Sequence, residues 1–374
     1  MIIVNTEKLQ DVCKKILSAV DSSANQVVGE TLEIKVKDSI LYLNVTNKQY
    51  YTSVKIALDS VVDELFAVID ANLFLNLISK VTTKDVELSI DNKCLIVKAN
   101  GKYKLPMIYE IDKLVELPEI TISNPTTSFN INSEILQSIY TYNTKEIEKV
   151  VVNNPIRKLY YVDEQGCVTS AVGACVNSFQ LEKPIKLLLD MKLVKLFKLF
   201  NEGNVVFTLG YEEVGSTIQT RVCFENDIIK VTAILPGDAS MTNSYPAQGL
   251  RDRAFKTYPN SISLNKGELV SAVNRILLFA PVELNTRIGI LTFDSNNFRL
   301  SDRNKENVET IALTTPIDIE QFEVMLDLNI FKTVLDSCQD EYVTISFGDD
   351  DKKTIVISRG TIKNVIPLMI KQPN

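Results

Sequence analysis

Apolar and polar residues alternate along this chain in two rhythms, one helical and one extended. Leu9, Val12, Cys13, Ile16, Leu17 and Val20 fall on one face at helical spacing, and Asn5 or Thr6 can cap the helix they predict. The rhythm then shortens to two residues at Leu32, Ile34 and Val36, and again at Leu41, Leu43 and Val45, with Asp38-Ser39 as the turn. A strand over Phe66–Ile69 leads into a second helix capped by Asp70, with Leu73, Phe74, Leu77 and Ile78 on its face. Val86, Leu88 and Ile90 alternate next, and Asn100-Gly101 then reads as a hairpin turn.

The same order returns twice. Ile135, Leu136, Ile139 and Tyr140 form a helix stripe, and Asp190 caps a helix carrying Met191, Val194 and Phe197. Further on, Leu269, Val270, Val273, Ile276 and Leu277 form the next stripe, and Asp327 caps Leu328, Phe331, Val334 and Leu335. The helix-start phrases repeat as well. Val4-Asn5-Thr6-Glu7-Lys8-Leu9 is matched by Ile131-Asn132-Ser133-Glu134-Ile135-Leu136 and Leu264-Asn265-Lys266-Gly267-Glu268-Leu269, and Val68-Ile69-Asp70 by Leu188-Leu189-Asp190 and Met325-Leu326-Asp327. The copies lie roughly 130 residues apart, too far for a solenoid repeat. They predict an α+β fold of three tandem domains, 1–123, 124–250 and 251–374, each of two β-α-β-β-β halves. Two polar stretches, Glu110 to Thr127 and Pro236 to Asn260, separate them as linkers. Each copy closes on a strand with proline, at Leu105-Pro106, Leu235-Pro236 and Ile366-Pro367.

Composition narrows the chemistry. The 374 residues contain no histidine, which removes His-based triads and HExxH zinc sites. The six cysteines have no zinc-ligand spacing and are expected to be reduced and buried, as in a cytoplasmic protein. Met1 runs straight into the first repeat, without the pattern of a signal peptide. No membrane span is expected, because Lys192, Lys195 and Lys198 interrupt the longest apolar candidate. No cofactor or metal is implied.

The repeat order, the helix-start phrases and the ending Val365-Ile366-Pro367-Leu368-Met369 together resemble the bacterial DNA polymerase III beta subunits, the DNA sliding clamps. The resemblance spans nearly the whole chain. The ending is similar to the family's V-M-P-M-R, with Met369 where arginine is usual. It implies three clamp domains per chain, two chains closed head to tail into a ring, helices lining the hole, sheets outside, and no enzymatic activity. Duplex DNA would be held without regard to sequence, and polymerase and clamp loader would dock through short Q-L-x-L-F-like peptides.

Charge is distributed in keeping with that reading. Net charge is −7, so the average surface repels DNA, yet lysines gather on helices. Lys192, Lys195 and Lys198 recur at i, i+3 and i+6 with no acid between them; Lys8, Lys15, Lys80, Arg275 and Lys332 are the other candidates to face phosphates.

By the same resemblance, Gly173 and Val176, Tyr245-Pro246 and Leu250, and Ile366, Pro367 and Leu368 would line the peptide pocket. The loop Ala171-Val172-Gly173-Ala174-Cys175-Val176 keeps only the glycine of the family's T-D-G-H-R-L. That loss puts the usual peptide preference in question and suggests a divergent clamp, such as a phage- or plasmid-encoded one. Tyr103 and Leu105 of one chain would meet Ile276 and Leu277 of the other, with Glu306 and Glu309 beside the joint.

Two other readings compete. Asp163-Glu164 and Asp349 to Asp351 could bind a metal in an enzyme, but both sit at expected hairpin tips, where acids are ordinary. A β-rich structural ring of the phage-tail kind would share the strands but has no need for lysine-faced helices.

Overall fold

The computed structural model describes residues 1–20, 27–60, 62–148, 155–170, 175–237, 239–283, 286–348, 354–359 and 362–369. The repeated phrases do what their chemistry suggests. Asn5 Oδ1 accepts from the backbone N–H of Lys8 at 3.1 Å, opening helix α1 (Thr6–Leu17). Asp70 does the same for Leu73 at 2.7 Å, opening α2 (Ala71–Ser79). In the second copy Asn132 accepts from Glu134 at 2.9 Å before α3 (Ser133–Glu148), and Asp190 from Leu193 at 2.8 Å before α4 (Met191–Leu196). Each such cap satisfies a donor that the first helical turn leaves open.

The linker expected over Pro236 to Asn260 is instead largely helical. It holds α5 (Ala239–Ser244) and α6 (Ala247–Phe255). In the third copy Asn265 caps α7 (Lys266–Phe279) at 3.1 Å and Asp327 caps α8 (Leu328–Ser337) at 2.9 Å. The sheets are antiparallel, and the β-α-β-β-β order of the halves is present in each copy. Strand Thr286–Phe293 lies so close beneath α8 that a Cβ on Gly289 would fall 2.5 Å from Leu328.

The chain gathers into two compact units. The first comprises Met1–Leu136 with Leu196–Pro236. Its eight-stranded sheet begins with four strands of the first copy, Leu65–Asp70, Thr31–Lys37, Ile40–Thr46 and Tyr50–Ala57. It continues through Ile229–Ile234, Thr217–Glu225, Asn204–Val214 and Pro125–Asn132 of the second, joined where Val54 faces Ile229. A separate four-stranded sheet runs Ile2–Asn5, Asp85–Asp91, Cys94–Lys98, Lys102–Pro106. Among the described residues its last strand pairs only with Cys94–Lys98.

The second unit comprises Gln137–Lys195 with Gly237–Asn374. Its eight-stranded sheet follows the same plan one copy later: Leu187–Leu189, Tyr160–Val162, Cys167–Ser170 and Cys175–Ser178, then Ile362–Pro367, Thr354–Arg359, Tyr342–Phe347 and Asn260–Asn265. The junction here is Cys175 opposite Asn364. The remaining sheet is five-stranded: it runs Phe322–Asp327, Thr286–Phe293, Asn297–Asp302, Val308–Ala312, with the short Val282–Glu283 also paired to Thr286–Phe293, and the strand Val308–Ala312 pairs only with Asn297–Asp302 among the described residues.

Candidate functional site

The lysine-bearing helices present their charges differently. On α4 and the 3₁₀ turn that continues it, Leu193, Val194, Leu196, Phe197 and Leu199 are buried, which leaves Lys192 and Lys198 exposed and Lys195 half-buried. Lys80 is exposed at the end of α2. Lys8, Lys15, Lys332 and Arg275 lie beside acids. Lys8 lies 3.5 Å from Asp59 and Lys15 2.8 Å from Asp11 on the same helix. On α8, Lys332 reaches Asp336 at 2.7 Å. Arg275 forks onto Glu309 through Nε at 2.6 Å and Nη2 at 2.8 Å. That guanidinium holds the Glu309 carboxyl below its ordinary value, and Glu309 in turn raises Arg275. Arg275 is thereby paired with the edge strand Val308–Ala312.

Two residues expected at the chain–chain joint are core residues. Leu105 is 2% exposed within its sheet. Ile276 is also 2% exposed and packs with Leu269, Val273, Leu300 and Leu326. Leu277 is half-buried against the same core. The large apolar side chains that α7 gives to solvent are its last two, Leu278 at 78% and Phe279 at 57% exposed. Val282 and Val308 are exposed too. Tyr103 is exposed on the edge strand Lys102–Pro106, flanked by exposed Lys102 and Lys104. Leu278 and Phe279 lie off the stripe that buries Leu269, Val273 and Ile276, and that misfit was the available signal.

The expected peptide pocket takes a different form. Gly173 lies outside the described residues. Pro367 closes the strand Ile362–Pro367 opposite Thr354, and its side chain lies outside them as well. Val176 is fully buried beneath α6, in a cluster with Cys167, Ala254 and Val365 against which Leu250 packs. Ile366 points to the opposite face of its strand, into the core under the helices, and Leu368 packs there also. Tyr245 is buried too: its hydroxyl donates to the Leu159 carbonyl at 2.7 Å and meets the Thr169 carbonyl at 3.1 Å, and its ring stacks on Tyr161. Pro246 is exposed at the start of α6.

An ion pair clamps α6 in place. Arg251 Nη1 donates to Asp163 Oδ2 at 2.9 Å, while Asp163 Oδ1 accepts from the backbone of Gln165 and Cys167. The single slot expected of these residues is thus divided between two faces of one sheet. The accessible apolar surface is a patch of Ile156, Tyr161 and Met241 over Leu159, Leu188, Tyr245 and Ala247. A cleft of about 570 Å³ beside α6 is lined by Gln165, Ser178, Arg251 and Asp252, with Phe255 at its edge.

Asp163 is engaged as a turn former and as the partner of Arg251. Asp349 to Asp351 lie outside the described residues. Among the described residues no group of three or more His, Cys, Asp or Glu is placed to hold a metal, and no helix is long and apolar enough to cross a membrane.

No family model matches the sequence, and no curated protein matches it. Solved structures do. The Helicobacter pylori beta clamp bound to a DNA ligase peptide superposes with a TM-score of 0.76 at 17% identity, over 99% of this chain and 100% of that one. The Pseudomonas aeruginosa sliding clamp bound to griselimycin gives 0.79 at 13%, over 99% of each chain. The Bacillus subtilis DNA polymerase sliding clamp gives 0.75 at 15%, again over 99% of each. The fold is that of the bacterial beta clamps. This chain therefore carries the clamp fold along its whole length with a sequence far from those of its structural neighbours. Within that fold the helix caps and lysine faces were readable in the sequence, whereas α6 was not.

Proposed function

We propose that this protein is a divergent DNA sliding clamp, a non-enzymatic processivity factor of three clamp domains that closes as a head-to-tail dimer around duplex DNA. One observation carries the reading. Each eight-stranded sheet joins the first half of one copy to the second half of the next, and two half-sheets are left over. The leftover halves are the second half of the first copy, ending at Lys102–Pro106, and the first half of the third, ending at Val308–Ala312. These strands hold the same places in their halves as the strands that meet at Ile229/Val54 and Cys175/Asn364. Pairing them between two chains completes a third sheet of the same plan.

An open strand edge is a liability unless it is covered, and a head-to-tail contact covers it without filaments when the rotation closes. Charge and apolar surface agree. Lys102, Lys104 and Tyr103 lie on one edge, and Glu309, Val308, Leu278 and Phe279 lie at or beside the other.

DNA would be held by the helix lysines, foremost Lys192, Lys195 and Lys198, through phosphates alone, so the ring could slide. The ion pairs of Lys8, Lys15 and Lys332 are at least partly solvent-exposed and each worth under about 1 kcal/mol, so phosphate can displace them. Partner peptides of polymerase and clamp loader would dock on the Ile156, Tyr161 and Met241 patch and beside Leu250. The H. pylori clamp bound to a ligase peptide supports that kind of partner. The setting is cytoplasmic and no cofactor is involved.

The Lys192→Glu, Lys195→Glu, Lys198→Glu triple variant tests the DNA contact. Its association with duplex DNA, measured by fluorescence anisotropy against salt, should be lost at salt where the wild type binds. Replacing the same lysines by alanine should flatten the salt slope by about 0.9 per contact removed. Unchanged binding and slope in both variants would reject the DNA contact.

A further inference from the structure

The outward face of the eight-stranded sheet in the first unit holds a cavity of about 630 Å³, a size usual for small-molecule sites. Its floor is a cross-strand row. Phe66 lies opposite Lys35, Lys35 opposite Tyr42 and Tyr42 opposite Lys55, so two half-exposed rings alternate with two lysines across four strands. Lys37 follows on the same face as Lys35. Among the described residues Lys35, Lys37 and Lys55 have no acid within ion-pair distance, unlike Lys230, which Glu119 holds at 3.0 Å.

The next row is polar and enclosed. Glu33 is 8% exposed and accepts from Asn44 Nδ2 at 2.8 Å, and Asn44, 3% exposed, leaves its Oδ1 without a partner. A carboxylate offers about four acceptor sites, so Glu33 keeps capacity beyond that single bond. Burial and the nearby Glu33 and Glu119 push the Tyr51 phenol above its ordinary range, so this end favours donors over further anions.

The cavity thus combines a row in which cations without acidic partners alternate with flat rings and, beside it, a row of buried acceptors. We infer that it binds a nucleoside diphosphate, with phosphates on Lys35, Lys37 and Lys55, the base against Tyr42, and the donor edge of the base toward Glu33 and Asn44. Guanine, with two adjacent N–H donors, fits paired acceptors better than adenine or uracil. A nucleic-acid strand fits less well, because Glu116, Glu119 and Glu225 also line the cavity and would repel a long polyanion. The site is separate from the lysine helices and from the face under α6.

Titration of the full chain with the fluorescent N-methylanthraniloyl derivative of GDP tests this. Saturable binding is expected, displaced by GDP more readily than by ADP or UDP. Lys35→Glu and Tyr42→Ala, both solvent-facing changes, should each weaken it by about tenfold. Glu33→Gln should remove the preference for GDP over ADP while leaving pyrophosphate competition unchanged. No saturable binding up to about 1 mM overturns the inference. So does displacement by pyrophosphate or hexaglutamate as effective as by GDP, since either would mean a general anion or acidic-peptide site. Undiminished binding by Lys35→Glu would place the ligand elsewhere and overturn it too.

Discussion

Replacing Phe279 by Asp should turn a dimer into a folded monomer. Phe279 is 57% exposed at the end of α7 and is not a member of the core cluster that α7 helps to build, so the single chain should keep its fold. In the proposed joint the same ring, with Leu278 and Val308, forms the apolar centre beside the paired edge strands. A buried aromatic anchor lost from an interface costs about 2–4 kcal/mol, or roughly 30- to 1,000-fold in Kd, and a carboxylate left in its place adds desolvation. Sedimentation of the variant across concentrations should show the shift, with an unchanged far-ultraviolet circular dichroism spectrum. Ile276→Asp would make a poor test, because Ile276 is in the core and its variant would unfold. An unaltered dimer in the Phe279 variant would move the joint away from α7.

Arg359→Met should destabilise the second unit severely. Arg359 is 4% exposed, and its Nη1 donates to the Val334 carbonyl at 2.9 Å and to Ser337 Oγ at 2.6 Å, while Nη2 donates to Asn364 Oδ1 at 2.6 Å. It thereby satisfies a carbonyl in the last turn of α8 and ties that helix to Ile362–Pro367, the strand that makes the sheet junction at Asn364. Methionine matches the length but donates nothing, so Ser337 Oγ and Asn364 Oδ1 lose a charged donor and the Val334 carbonyl keeps only the Ser337 hydroxyl. The expected loss is about 3 kcal/mol or more, which lowers the melting transition of a unit this size by about 6–12 °C. A melting curve that overlays the wild type would mean that water replaces those bonds and that the arginine is dispensable.

Much of this was legible from residue types alone, and the reasons are local. Asn5, Asp70, Asn132, Asp190, Asn265 and Asp327 cap helices because a short acceptor before an apolar stripe has one good use. Lys192 on α4 and Lys198 just beyond it face solvent because their neighbours are the residues that must be buried. What stayed hidden was of two kinds. Helix α6 has only Leu250, Ala254 and Phe255 as sizeable apolar signals amid Ala247, Gln248, Gly249 and charged residues, so its stretch reads as a linker; its stability comes from packing on Val176 and Val365 and from Asp163. The continuity of the sheets across copies also left no local mark, since Val54 and Ile229 meet only after the chain has folded. The pocket residues followed the same rule. Val365 packs under α6 while its neighbour Ile366 packs, with Leu368, into the core on the other face, so this run of sequence does not line one slot.

Closure of two chains into one ring is the central claim, and mass in solution tests it most directly. Sedimentation equilibrium of the wild-type protein over a wide concentration range should give twice the 42.0 kDa of one chain, with dissociation only at high dilution. A monomer at every concentration would contradict the pairing of Lys102–Pro106 with Val308–Ala312. A larger closed assembly would contradict a two-chain ring and favour a structural role.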